Sequence, residues 1–147
     1  MASTFREVRI KSTTVGLKSV VEAADHTFNL DEPAAIGGTN TGPNPLEAFL
    51  GALAGCENVT ARFVAKEMDF DLAGMTFEIS GSYDSRGLKS GAEVRPNFRT
   101  LEIRVNVETT ESEERLKRLQ EETDRRCPVF STLEAAGIEV SIDWRKV

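Results

Sequence analysis

Residues 42–56 read GPNPLEAFLGALAGC, the start of the one long apolar helix this chain encodes, and the stretch ends on a cysteine. Asn44 suits the cap, Pro45 the first helical position with its preset φ, and Glu47, three past the cap, can close a capping box. Leu46, Phe49, Leu50, Leu53, Val59, Phe63 and Val64 then recur at about 3.6-residue spacing, which predicts an apolar face to about Met68. Ala48, Gly51, Ala52 and Gly55 add a strip of small residues, a loss of helix propensity that allows another backbone to approach closely. The first half of this helix is therefore expected to be buried on every side.

The whole chain bounds the setting of that helix. Its 147 residues suffice for a real core and predict one domain over residues 1–147. A formal charge of −6 and a pI near 4.9 speak against a nucleic-acid surface, which needs a basic stripe. No apolar run approaches the roughly 20 residues that span a bilayer, and the N-terminus lacks a signal-type apolar region, so a cytoplasmic protein without membrane attachment is expected. The only cysteines, Cys56 and Cys127, stand 71 positions apart. In a reducing compartment two such thiols favour free or catalytic cysteines over a bridge, although a Cys56–Cys127 bridge would stabilise by roughly 4 kcal/mol in the chain-entropy model. With His26 the sole histidine, there is no recognisable zinc set.

Outward from the helix, Phe5–Ser12, Val15–Glu22 and His26–Leu30 read as three short strands joined by tight turns. Residues 31–43, DEPAAIGGTNTGP, read as a loop. Its Gly37 to Gly42 spacing is similar to a phosphate loop, but Pro43 and Asn44 stand where Lys and Ser or Thr are needed, which rejects nucleotide binding. Met75–Tyr83 and Phe98–Val107 alternate as strands, the second half-buried and antiparallel, around a polar turn region at 84–96. Thr110 with Glu113 reads as a second capping box, opening a charged helix whose apolar face is Leu116 and Leu119 and whose charges pair within it. Cys127-Pro128 marks the N-cap of a short helix that Gly137 stops, and Ile138, Val140 and Ile142 form a closing strand before Trp144.

A thiol with an ordinary pKa near 8.5 is mostly protonated at neutral pH, so a cysteine nucleophile needs a cation or a helix N-terminus beside it. Cys56, three turns into its helix, must take a cation from elsewhere. Cys127 has a helix start and Arg125 and Arg126 next to it. From the residues alone, Cys56 reads equally as a small buried core residue and Cys127 as a cap or packing residue.

The set formed by Asn44-Pro45, a carboxylate just after, Cys56 on the same helix and Cys127-Pro128 far downstream resembles the OsmC/Ohr family, osmotically inducible protein C and the organic hydroperoxide resistance proteins. The resemblance extends over nearly the whole chain. It implies an α+β, OsmC-like fold with antiparallel sheets around a long central helix, and an intertwined homodimer whose central helices pack together, which suits the small-residue strip. It also implies thiol peroxidase chemistry on organic hydroperoxides or hydrogen peroxide. Cys56 would become a sulfenic acid, Cys127 would condense with it to a disulfide, and an external dithiol would restore both, with no cofactor or metal.

Two positions depart from the family pattern. Where the hydroperoxide resistance branch has an arginine on the second strand, counting back from Pro33 lands on Lys18, a point charge without the planar fork. Its glutamate directly follows Asn-Pro, whereas here Leu46 does and Glu47 is one later, turned about 100° around the helix. Nine residues separate Glu47 from Cys56, about 13 Å along the axis on nearly opposite sides, so within one straight helix they cannot touch. These departures keep open a binding or stress-response module with the same fold and little turnover, and a thiol enzyme acting on another electrophile.

Overall fold

The computed structural model describes residues 3–147 and divides into two compact units, one ending at Phe49 and one spanning Leu50–Val147. The α+β class is as the sequence predicts.

In the N-terminal unit, β1 (Lys11–Val15), β2 (Lys18–Ala23) and β3 (His26–Leu30) form an antiparallel meander in chain order. Two-residue turns set its register, pairing Val15 with Lys18 and Ala23 with His26. Gly16 and Ala24 supply the positive φ these turns need, 59° and 50°. The first turn overrides the expected strand boundaries. It makes residues 11–15 the partner of β2, so Phe5–Ile10 forms no strand, Phe5 and Val8 are each 90% exposed, and Val15 ends a strand rather than starting one.

The glycines of the 31–43 loop serve a backbone crossing. A Cβ at Gly38 would sit 1.8 Å from the Glu32 carbonyl oxygen, and one at Gly42 2.2 Å from that of Asn29. Asp31 clasps the loop from inside. Its carboxylate accepts from the hydroxyls of Thr39 (2.5 Å) and Thr41 (2.8 Å) and from the amides of Glu32, Thr39 and Thr41. The Thr39 hydrogen bond above all holds the Asp31 carboxyl well below the usual range.

α1 (Pro45–Glu67) begins with the capping box its sequence predicts: the Glu47 amide donates to Asn44 Oδ1 (2.8 Å) and the Asn44 amide to Glu47 Oε2 (2.9 Å). In the second unit its inward face, Leu53, Glu57, Thr60, Ala61, Val64 and Ala65, is buried. The core there joins Leu53, Ala61 and Val64 to Leu101, Ile103, Val105 and Val107 of β5 (Phe98–Glu108).

The all-round burial expected of α1 is not found. In its first half, the part expected to be buried on every side, Leu46 is 39% and Phe49 40% exposed within the chain, and a Cβ at Gly51 or Gly55 would meet open space; farther along, Val59 is 52% and Phe63 62% exposed. The apolar periodicity mixes two faces, and this chain's own core covers only one.

The second sheet has the order β4-β5-β6, with β4 (Gly74–Tyr83) antiparallel to β5 as expected. β6 (Glu139–Lys146) instead lies parallel to β5, which requires a long crossover. Two helices supply it, α2 (Glu113–Arg126) and α3 (Pro128–Ala135).

The predicted cap of α2 is displaced by two residues. Ser112 is the N-cap and accepts from the Arg115 amide (3.2 Å), while the Thr110 hydroxyl donates to the Asp71 carboxylate (2.8 Å) across the turn before the helix. Leu116 and Leu119 are buried as the pattern predicts, joined by Thr123. Among the described residues no helix is long and apolar enough to cross a membrane.

Candidate active site

Folding brings the two cysteines together. The Cys127 thiol lies 2.9 Å from Cys56 Sγ and can donate to it, and both are free thiols. Cys56 is half-buried on the outward side of α1, whereas Cys127 is fully buried.

Cys127 occupies the corner between two helices. Its amide donates to the Thr123 carbonyl (2.9 Å), ending α2, and its sulfur accepts from the Phe130 amide (3.4 Å), capping α3. The expected cap is therefore present. The electrostatic benefit to Cys127 is not: burial pushes this thiol up, Cys56 and Glu57 push it further, and the Phe130 N–H only partly offsets them. Arg125 and Arg126, adjacent in sequence, face other partners. Arg125 pairs with Glu122 (2.7 Å) and Arg126 with Glu67 of α1 (2.5 and 2.9 Å). Burial thus favours the proton-bearing form of Cys127.

Arg126 serves the other cysteine's surroundings. With Gly55, Cys56, Val59, Phe63 and Pro128 it lines an open, mostly apolar depression of about 550 Å³. A small organic molecule entering there would meet Cys56 over an apolar floor, with a guanidinium at the edge.

Lys18 opens β2 in the N-terminal unit, half-buried and paired in register with Val15. Glu47 is engaged in the capping box. His26, at the start of β3, is exposed. Among the described residues no three His, Cys, Asp or Glu side chains cluster as a metal would require.

One acidic pair escaped the sequence reading. Glu57, next to Cys56 in the chain, is only 1% exposed, and its Oε1 has no hydrogen-bond partner among the described residues; the same holds for buried Oδ1 of Asp124, on α2. Burial first, then the Asp124 charge, pushes the Glu57 carboxyl up to about 7, against the interaction with Cys127, which lowers it. Asp124 is pushed up to about 6, chiefly by burial, with Glu134 and Glu121 adding to the rise. The signal was present in the spacing: Glu57 falls four residues after Leu53 and three or four before Thr60 and Ala61, on the buried stripe.

Comparison with known proteins bears on this arrangement. A family model described as OsmC-like protein matches residues 38–143. A Mycoplasma genitalium protein named hydroperoxide reductase is 29% identical over 115 residues, covering 78% of this chain and 79% of its own. Among solved structures, an OsmC like protein from Mycoplasma pneumoniae superposes with a TM-score of 0.80 at 20% identity, over 97% of this chain and 96% of that one. An organic hydroperoxide resistance protein from Legionella pneumophila gives 0.72 at 17% identity, over 97% and 98%. At such identities the two structures speak for the fold.

Proposed function

This chain belongs to the OsmC-like family, and from that premise we propose that it is a hydroperoxide reductase with a peroxide-related stress role, working through its two cysteines. The observation that carries this reading is the meeting of Cys56 and Cys127 across 71 positions at 2.9 Å, with Cys56 on the open apolar depression. A Cys56 thiolate attacks the terminal peroxide oxygen, the O–O bond breaks, an alcohol leaves and Cys56 becomes a sulfenic acid. Cys127 then displaces the hydroxyl as water to form the disulfide, and an external dithiol reduces it. The apolar lining favours an organic hydroperoxide over hydrogen peroxide, and Arg126, held by Glu67, lies at its edge.

The working protein in this reading is a homodimer, with the outward face of α1 packed on the same face of a second copy, which walls the depression along its Val59 and Phe63 side and leaves Cys56 at its mouth. The exposed Val59 and Phe63 and the open space at Gly51 and Gly55 support that arrangement. Lys18 is taken as the counterpart of the family's strand arginine, and Lys18→Met slows the reaction with cumene hydroperoxide if its charge serves that chemistry.

The test is thiol chemistry. Reduced protein mixed with cumene hydroperoxide loses both thiols in a fast, stoichiometric reaction. Cys127→Ser stops at a trappable sulfenic acid, and Cys56→Ser slows peroxide consumption by about three orders of magnitude or more, as removal of a nucleophile does. Wild-type oxidation no faster than that of a free thiol would sink the proposal.

A further inference from the structure

Closing the disulfide poses a proton problem that the two sulfurs do not solve. Cys127 must attack Cys56 as a thiolate, yet it is fully buried, and burial together with Glu57 keeps its proton on. The sulfur has no exposed surface of its own through which to give that proton to solvent. The acceptor must be built into the protein.

We propose that Glu57 is the proton acceptor for Cys127 in the disulfide-forming step, with Asp124 as the positioning residue that keeps one proton shared between the two carboxyls. Glu57 is 1% exposed, stands beside the Cys127 thiol, and has a buried Oε1 with no hydrogen-bond partner among the described residues. Asp124 comes from α2, one turn before Cys127, and is held from its other side by Gln120 Nε2 (3.5 Å). An ionised, unpaired carboxylate in such a place is costly, and two carboxyls side by side do not both ionise readily. One proton between them satisfies both constraints and leaves one basic oxygen.

The step balances without any outside base. The Cys127 sulfur forms a bond to Cys56 Sγ as its proton passes to the Glu57 carboxylate. The S–O bond of the sulfenic acid breaks in line with the incoming sulfur, and the departing hydroxide leaves on the open side as water, with a proton from the solvent in the depression. The thiol sulfur is oxidised, the sulfenic sulfur is reduced, and the acidic pair gains the thiol's proton while the solvent supplies the one in the departing water. Glu121 and Glu134 add negative charge around Asp124. They favour its proton-bearing form and so leave the basic oxygen to Glu57.

The inference rests on the two-cysteine reading above, but the step can be isolated from peroxide. One equivalent of a chromogenic aromatic disulfide releases its coloured thiolate once when Cys56 attacks it and again when Cys127 displaces the remaining half. In wild type the second release gains speed as the acidic pair passes to its singly protonated form, between about pH 6 and 7. In Glu57→Gln the ratio of second to first rate falls about 100-fold, the scale of a lost general base, and that inflection disappears. Asp124→Asn keeps Glu57 but removes the charge that raises it, so the inflection moves to lower pH, a shift that loosened packing would not give.

An unchanged ratio and inflection in Glu57→Gln, or an Asp124→Asn inflection that stays put, overturns the proposal. So does a wild type that makes no second release. A protein whose Cys56 ignores cumene hydroperoxide yet shows the two releases, with the expected response to Glu57→Gln, refutes the peroxidase reading and leaves the proton acceptor standing.

Discussion

The two sides of α1 differ most sharply at neighbouring residues. Cys56 lies half-buried on the apolar side that opens to the depression, while Glu57, about 100° around the helix, is sealed into the core. One side places a sulfur where a small molecule can reach it. The other places a carboxyl where water cannot, under the second sulfur. A single helix thus separates access from proton handling by one residue, and rigidity of the helix fixes their relation.

The largest expected effect comes from breaking the inward side. Leu53 is fully buried against β5, and Leu53→Ala is expected to cost about 2–5 kcal/mol, read as a lower denaturant midpoint at unchanged slope. A cost below about 1 kcal/mol would mean that this side is not the core face.

A smaller effect comes from pH. Glu57 and Asp124 are raised in the folded state to about 7 and about 6, from ordinary values of 4.5 and 3.8. Folding therefore binds protons, and the contribution is full at acid pH and falls as pH rises through the folded values. Between about pH 4.5 and 7 the loss is expected to be on the order of a few kcal/mol, at 1.4 kcal/mol per proton and pH unit over the two groups and reduced by solvent screening on their partly open side. Glu57→Gln with Asp124→Asn should flatten that slope in thermal melts, and an unaltered slope would mean that other groups set it.

The outward side gives the smallest effect within one protomer. Phe63 is 62% exposed, so Phe63→Ser should change the protomer's own stability by no more than about 0.5 kcal/mol. What it should change is mass, with light scattering reporting a halved particle if a second copy covers that side. A protein that is monomeric from the outset removes the dimer from the proposal.

Local signals were the ones the sequence carried well. The Asn44–Glu47 capping box and the Cys127-Pro128 cap each need only a few adjacent residues, and both form as read. Signals depending on distant partners were not legible. Alternation around Val8 and Ile10 could not reveal that a hairpin at Gly16 and Leu17 would claim residues 11–15 instead. Apolar spacing on α1 could not say which greasy side this chain would cover. Adjacency misled for Arg125 and Arg126, which sit beside Cys127 in the chain but pair with Glu122 and Glu67. The same bias hid Glu57 and Asp124, because a charged residue in a helix usually meets solvent.

Cys127 ends α2 through its amide and begins α3 through its sulfur. The sulfur's address is consequently set by the angle of an elbow and not by a side chain free to search. Substitutions along the seam of α2 and α3, well away from either thiol, would then detune the exchange by tilting that elbow. On the proposed chemistry, a linkage formed there would in turn brace α1 against it, and the redox state would double as a mechanical latch.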